Sequence, residues 1–408
     1  MKVDSMRKID YWVGVPLCLA LTIVLKFVRR RAVAPRNVLF IELSEMGTAI
    51  LADPAMRKAR DRLGAELFFL IFRNNAPSLD FLRTVPASNV FTIRDDNLVL
   101  LALDTLRFLA WARRRRIDTA VDLELFSRFT ALLTGLCGAS NRVGFYRFHN
   151  EGLYRGELLT HRVAYNPHIH MAKNLVALVN ALLSGHPEVP YSKTLIPDDE
   201  IRIAKAQITP QEIETIRERV AKVIPRYRAS DHRLVLLNSN GSDLLPQRRW
   251  PQAHFAQLAR MIVAEWPDVF VLLTGSPQER DQAEELRKAA ACGRVFNFAG
   301  EVSLRELAAL YAASALMVTN DSGPGHFSAA TELRTIVLFG PETPTLYGSL
   351  GNSESLSSGL ACSPCVSAAN HRKSGCDDPV CMKVLLPDRV MASVRRALAS
   401  SERKQALA

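Results

Sequence analysis

Apolar residues along this chain fall in short unbroken runs, separated by stretches in which they return every third or fourth position. Runs at 37–43, 66–72, 89–93 and 117–123 have the length and the aromatic or branched content of buried parallel strands. Between them 49–63, 99–114 and 126–137 carry the helical period, and 142–145 adds a short strand. After a helix at 172–183 the pattern lapses at 185–199, where Pro187, Pro190 and Pro197 mark a linker, and a solvated helix follows at 210–223. A second series then begins. Strands at 233–238, 269–274, 294–298, 315–319 and 335–339 alternate with helices that include 254–265, 304–314 and 327–333, and an amphipathic helix at 388–400 follows. Such alternation predicts an α/β fold with two Rossmann-like domains of parallel sheet facing a cleft. The expected boundaries are 36–186 for the first domain, 187–231 for the linker and connecting helix, 232–387 for the second domain and 388–408 for the tail.

The stretch before residue 36 reads differently. Residues 11–25 (YWVGVPLCLALTIVL) hold no charge, and Lys26 and then Arg29, Arg30 and Arg31 follow. A spanning helix needs about 20 apolar residues, so this run is short, although a snorkelling Lys26 would extend it to Val28. Pro16 would kink such a helix, which leaves shallow or re-entrant insertion as an alternative and a buried core helix as another. No small-residue cleavage site follows the run, so a removed signal peptide is disfavoured. The expectation is a membrane anchor over residues 1–35, its basic flank holding the body at the anionic cytoplasmic leaflet.

Composition narrows the partners. The 408 residues are 48% hydrophobic and 23% charged, as in a packed globular chain, with a net charge of +11 that favours anionic ligands or surfaces. No zinc finger, helix-turn-helix or interleaved basic-aromatic pattern points to nucleic acid, which is therefore not expected as a partner. Of seven cysteines, Cys18, Cys137 and Cys292 are isolated, whereas Cys362, Cys365, Cys376 and Cys381 follow a C-x2-C-x10-C-x4-C spacing. Those four could hold a structural zinc or iron, or they could be reduced, locally packed thiols.

Candidate chemistry concentrates at 315–348. There an apolar strand runs into Asn320-Asp321-Ser322-Gly323-Pro324-Gly325-His326, a cluster of turn formers that should open a helix. A helix N-terminus offers free N–H groups and a positive dipole end to a phosphate, with Ser322 and His326 as added donors. The bland alternative is a tight turn with Asp321 capping the helix. Ligands of doubly wound sheets bind beyond the carboxyl ends of strands, where Glu45 and Asp122 fall in the first domain. His168 and His170 share one face of an extended segment, but no third ligand is near, so capping or surface roles are the simpler account.

Several stretches in order and spacing carry a resemblance: LFIELSEMGTAILADPAM at 39–56, RIDTAVDLELFSRF at 116–129, RVGF at 142–145, RRWPQAHFAQLA at 248–259, VLLTGSPQE at 271–279, FAGEVSLRELAALYAASALMVTNDSGPGH at 298–326 and VLFGPETPT at 337–345. Together they resemble the heptosyltransferases, glycosyltransferase family nine, whose fold is the two-domain GT-B arrangement. The resemblance implies inverting, metal-independent transfer of a sugar from a nucleotide-diphosphate donor to a lipid-linked or lipopolysaccharide acceptor, with no cofactor needed for catalysis. By position, Asp321, Ser322, Gly323 and His326 would hold the donor diphosphate with Arg248 or Arg249 as the cation, and Ser239 and Gly275 would border that pocket. Gly47, Thr48, Asp122 and His170 would line the acceptor side. One departure matters: family members carry aspartate after the glycine as the expected general base, and here the pair is Gly47-Thr48. A threonine hydroxyl is too weak a base at neutral pH, so Glu45 is the expected replacement. The rival readings are an inactive nucleotide-sugar-binding scaffold and a nucleotide-sugar epimerase of the same fold.

Overall fold

The computed structural model describes residues 3–28, 33–146, 154–184, 193–241, 244–368, 370 and 373–406. The expected arginine flank at 29–31, the linker residues 185–192 with Pro187 and Pro190, and Ser242 lie outside the described residues. The chain divides into two compact units, Met1–Arg202 and Ile203–Ala408.

The N-terminal apolar run is not one helix. Helices α1 (Val3–Trp12) and α2 (Gly14–Phe27) meet at Val13 with a bend of 40°. Among the described residues no single helix is long and apolar enough to cross a membrane; the bent pair together meets that requirement by length and composition alone. Pro16 is not the break. It falls in the first turn of α2, where a missing N–H forfeits no intrahelical bond.

The first unit continues as β1 (Asn37–Ile41), α3 (Met46–Leu51), α4 (Asp53–Leu63), β2 (Glu66–Phe72), α5 (Pro77–Leu82), β3 (Val90–Ile93), α6 (Leu98–Arg114), β4 (Thr119–Asp122), α7 (Arg128–Leu136), β5 (Asn141–Tyr146), β6 (His161–Ala164) and α8 (Met171–Leu183). The single helix expected at 49–63 is split at Ala52, just ahead of Pro54. All strands pair in parallel in the order β3-β2-β1-β4-β5-β6. Central β1 is buried on both faces, its Leu39 beside Phe68 of β2 and Ala120 of β4. Phe108 and Ala112 of α6 and Leu133 of α7 pack on one face of the sheet, and Met6 of α1 joins them.

Helix α2 lies against α7. Gly14, Cys18 and Thr22 form its buried stripe, and Cys18, Leu21 and Leu25 pack with Ala131 and Leu158. Polar contacts fix the register. Asp10 Oδ1 accepts the N–H groups of Arg128 at 2.9 Å and Phe129 at 3.0 Å, which are first-turn donors of α7, and its Oδ2 accepts from Arg128 Nη1 at 3.0 Å. Thr22 Oγ1 accepts from the Glu157 N–H at 2.9 Å.

The second unit runs α9 (Pro210–Val223), β7 (Arg233–Asn238), α10 (Gln252–Glu265), β8 (Val269–Leu273), α11 (Arg280–Ala290), β9 (Val295–Asn297), α12 (Leu307–Ala312), β10 (Leu316–Asn320), α13 (Gly323–Phe327), β11 (Arg334–Phe339), α14 (Pro344–Tyr347), β12 (Ser353–Ser357), α15 (Val380–Lys383) and α16 (Pro387–Ala406). Its sheet, also wholly parallel, has the order β12-β11-β10-β7-β8-β9. Each unit thus places its first strand beside its fourth, the point where strand order reverses. Trp250, fully buried with Leu258, Ile262 and Val394, donates its indole N–H to the Leu385 carbonyl at 2.7 Å.

Candidate functional site

In the second unit the reversal lies between β7 and β10, and Asn320 at the end of β10 organises it. Its buried side chain donates to the carbonyls of Ser239 at 2.9 Å and Asn240 at 3.0 Å and accepts the Trp250 N–H at 3.0 Å. One amide therefore ties together the loops after β7 and β10 and the start of α10. The reading of the sequence took Asn320 only as a turn former. Its value lies in partners some seventy to eighty positions away, which no local pattern marks.

The residues expected at a donor site gather around this clamp. Ser239 and Asp321 are buried, and Arg248 Nε stands 3.5 Å from Asp321 Oδ2. Gly275 abuts Asn240, since a Cβ there would sit 2.5 Å from the Asn240 side-chain nitrogen. Ser322 occupies the N-cap position of α13 in extended backbone, makes no side-chain capping bond and donates its hydroxyl to the Asn320 carbonyl at 3.2 Å, and His326 is buried within that helix. The helix expected at 327–333 instead begins at Gly323, spans five residues and passes into a 3₁₀ turn at Ser328–Ala330. Its dipole is correspondingly small, so an anion would rely on first-turn N–H groups rather than on a long helix.

The two arginines divide. Arg248 is bracketed by two buried carboxylates, Asp321 and Glu342, with its Nη2 2.8 Å from Glu342 Oε1. Arg249 donates from Nε and Nη2 to the Gly241 carbonyl at 3.0 and 2.6 Å. Glu342, in the loop after β11, escaped the sequence reading because it lies 94 positions from its partner. Bracketing holds the Arg248 guanidinium beside the Asp321 loop without rotamer freedom to lose when a ligand arrives.

In the first unit the corresponding reversal lies between β1 and β4, and here carboxylates dominate. Glu42, buried, accepts the N–H groups of Ser44 at 3.2 Å and Glu45 at 3.1 Å through Oε1. Glu124 Oε1 accepts from the Leu43 N–H at 3.0 Å, the Ser44 N–H at 3.3 Å and the Ser44 hydroxyl at 3.1 Å. Both carboxyls therefore meet on the Ser44 amide. Burial, then the nearby Glu124 and Glu45, hold Glu42 well above the usual carboxylate range. Glu124 is pushed up to about 7 by burial and then by Asp122. Neither was expected as a site residue, although both stand in stretches that carry the resemblance.

Glu45 is half-buried at the N-cap of α3, and its Oε2 accepts from the Thr48 hydroxyl at 2.9 Å. Thr48 is buried, with Gly47 half-buried in the same first turn. Asp122 is 1% exposed and turned inward, held by Arg155, Thr130 and the Glu124 N–H. Burial raises its pKa and Arg155 opposes that shift. Arg155 also donates to the Ser127 and Glu124 carbonyls, so it pins the loop that carries Glu124. His170 caps α8, its Nδ1 accepting the Ala172 N–H at 3.1 Å. Glu45, Thr48 and Gly47 thus form one turn, while Asp122 acts through Arg155 and His170 sits at a separate helix end.

The expected zinc or iron at the cysteine cluster is not supported. Cys362, Cys365 and Cys376 are exposed free thiols and Cys381 is buried, and among the described residues no group of three or more His, Cys, Asp or Glu side chains could hold a metal ion.

Comparison with known proteins agrees with this architecture. Residues 113–374 match the family described as "Glycosyltransferase family 9 (heptosyltransferase)". The chain is 33% identical over 170 residues to lipooligosaccharide heptosyltransferase 2 of Haemophilus influenzae, covering 40% of this chain and 47% of that protein. It is 36% identical over 110 residues to lipopolysaccharide heptosyltransferase 2 of Salmonella typhimurium, covering 26% and 30% respectively. The chain therefore spans less than half the length of these relatives. The solved E. coli ADP-heptose LPS heptosyltransferase II superposes with a TM-score of 0.69 at 20% identity, over 90% of this chain and 99% of that one, which shows a common fold of two parallel α/β sheets. Since the family match runs through both units and over more than half of the sequence, the chain belongs to glycosyltransferase family 9, the heptosyltransferases.

Proposed function

We propose that this chain transfers a heptose or a closely related sugar from a nucleotide-diphosphate donor to a glycan acceptor of the lipopolysaccharide type, with inversion and without a metal ion. The observation that carries the proposal is the Asp321-Ser322-Gly323 loop, fixed by Asn320 at the strand-order reversal with Arg248 held beside it. An ADP-sugar is the favoured donor, because the E. coli structural neighbour is named for ADP-heptose.

In this reading the acceptor hydroxyl attacks the anomeric carbon as the bond to the diphosphate breaks, and the proton passes to the Glu45 carboxylate. Thr48 donates to Glu45 Oε2 and so orients that carboxyl in the loop after β1. Charge gathering on the leaving diphosphate is met by first-turn N–H groups of α13, by Arg248 and by the Ser322 hydroxyl once it turns from the Asn320 carbonyl. Gly47 and Thr48 shape the acceptor side, and Asp122 with Arg155 keeps the Glu124 loop in register. A lipid-borne acceptor would place this reaction at the cytoplasmic face of the inner membrane.

Thermal unfolding of the full chain, measured against ADP, UDP, GDP and ADP-heptose, tests the donor assignment. At a concentration near 100 times Kd, a ligand that binds only the folded chain adds about 2.7 kcal/mol. A shift with ADP and ADP-heptose that Asp321→Ala abolishes is the expected result. No shift with any nucleotide, in a protein that unfolds cooperatively, would refute the donor site and leave the scaffold reading without its ligand.

A further inference from the structure

The outer face of α2 poses a question that its docked face does not. Opposite Gly14, Cys18 and Thr22 stand Leu17, Ile23, Val24 and Phe27, all exposed, and Trp12 projects from the end of α1; Trp12 is 74% exposed and Phe27 84%. No charge interrupts α2 between Gly14 and Leu25. Helix α6, which shares its core with α7 and with Met6 of α1, adds a second exposed apolar row of Val99, Leu103 and Leu106. Exposed apolar rows of this extent are unusual for a soluble protein. Basic residues flank these rows, with Arg7 and Lys8 exposed on α1, Lys26 ending α2 and Arg113 to Arg116 exposed at the end of α6, while Asp96 is exposed just ahead of α6. Asp10 is turned away to cap α7, and Asp104 on α6 is matched by Arg94 and Arg107.

We infer that the α1–α2 hairpin and α6 form one bilayer-docking face on which the chain lies in the plane of an anionic membrane, rather than hanging from a spanning helix. The inner stripe of α2 is committed to α7, so only the outer stripe is available to lipid. An apolar stripe with a basic rim and interfacial aromatics such as Tyr11 and Trp12 matches the acyl–headgroup boundary. The inference deepens the reading above, since a lipid-borne acceptor would meet the enzyme on this face.

Flotation of the full chain with vesicles of phosphatidylcholine, with and without phosphatidylglycerol, tests it. Expected are binding that requires phosphatidylglycerol and weakens with salt, and an affinity about tenfold lower or less in Trp12→Ser/Phe27→Ser. Those side chains are exposed, so the folded state tolerates the change. Gly14→Leu probes the in-plane arrangement, because a Cβ at Gly14 would lie 2.8 Å from Arg128 Cβ. A lower Tm for Gly14→Leu supports docking on α7; an unchanged Tm with full vesicle binding means that α2 leaves the domain, which overturns it. Absence of vesicle binding overturns the inference, as does a dimer in sedimentation that Trp12→Ser/Phe27→Ser dissociates. The ADP-induced Tm shift is read in the same samples, so loss of vesicle binding with that shift intact counts against the membrane face alone.

Discussion

Replacing Glu124 by glutamine removes a charge from the carboxylate cluster and keeps an oxygen able to accept from the Leu43 and Ser44 N–H groups. In the folded chain the Glu124 carboxyl is pushed from an ordinary 4.5 up to about 7, by burial first and Asp122 second. The folded state therefore holds a proton that the unfolded chain has already lost. Glu124 accordingly contributes most to stability below its unfolded value, and that contribution fades as pH rises through about 7. The full difference corresponds to roughly 3 kcal/mol. Because the residue is only half-buried, solvent screening brings the expected effect to about 1–2 kcal/mol. Glu124→Gln, neutral throughout, should match the wild type in acid and exceed it by that margin above neutrality. Hydrogen exchange of peptides covering β1 and the Leu43–Glu45 loop, at one pH below and one above the transition, reads the local stability directly. Equal protection in both proteins at both pH values, or wild-type protection that rises with pH, would refute the argument that these carboxyls are strained at neutral pH.

Glu45→Gln should lower turnover by about 100-fold while leaving the ADP shift in place; near-normal turnover would remove Glu45 from the base role. Arg155→Leu strands the buried Asp122 carboxylate and should cost about 3–5 kcal/mol by urea denaturation, a deficit largest at neutral pH that narrows on acidification as Asp122 takes a proton. Asp122→Asn in the same background should recover most of it, and a loss under about 1 kcal/mol would show the pair to be dispensable. Gly275→Ala drives a Cβ into the Asn240 amide and should cost about 1–3 kcal/mol together with weaker ADP binding; unchanged binding would detach that loop from the donor pocket.

Where apolar residues and turn formers carry the information, the sequence was a good guide. The strand at 66–72, the helix at 210–223 and the strand at 233–238 match β2, α9 and β7. Edge strands escaped because they lack an apolar run: β6 is His161–Ala164, and β12, Ser353–Ser357, is built from serines around Glu354 and Leu356. The site divided in the same way. Loops at strand ends were legible from composition, so the loops that carry Glu45, Asp321 and Ser322 could be placed from the sequence, while the roles of those residues stand as proposals. The pairings that set their electrostatics were not, since Arg248 meets Glu342 across 94 positions and Arg155 meets Asp122 across 33. A charge read in isolation looks available, and only the folded chain shows it matched.

Asp10 closes α7 from 118 positions upstream, and this bears on how the protein can be handled. An apolar leader invites removal to improve expression. Starting the chain near Asn37 would strip two first-turn amides of α7 of their acceptor, at about 0.5–2 kcal/mol. It would also uncover Ala131 and Leu158 where Cys18, Leu21 and Leu25 now cover them. A trimmed protein would trade one sticky surface for another, beside the loop that carries Glu124. Mild detergent with the intact leader is the sounder preparation, and low activity in a shortened enzyme would reflect the cut before it reflected the catalytic residues.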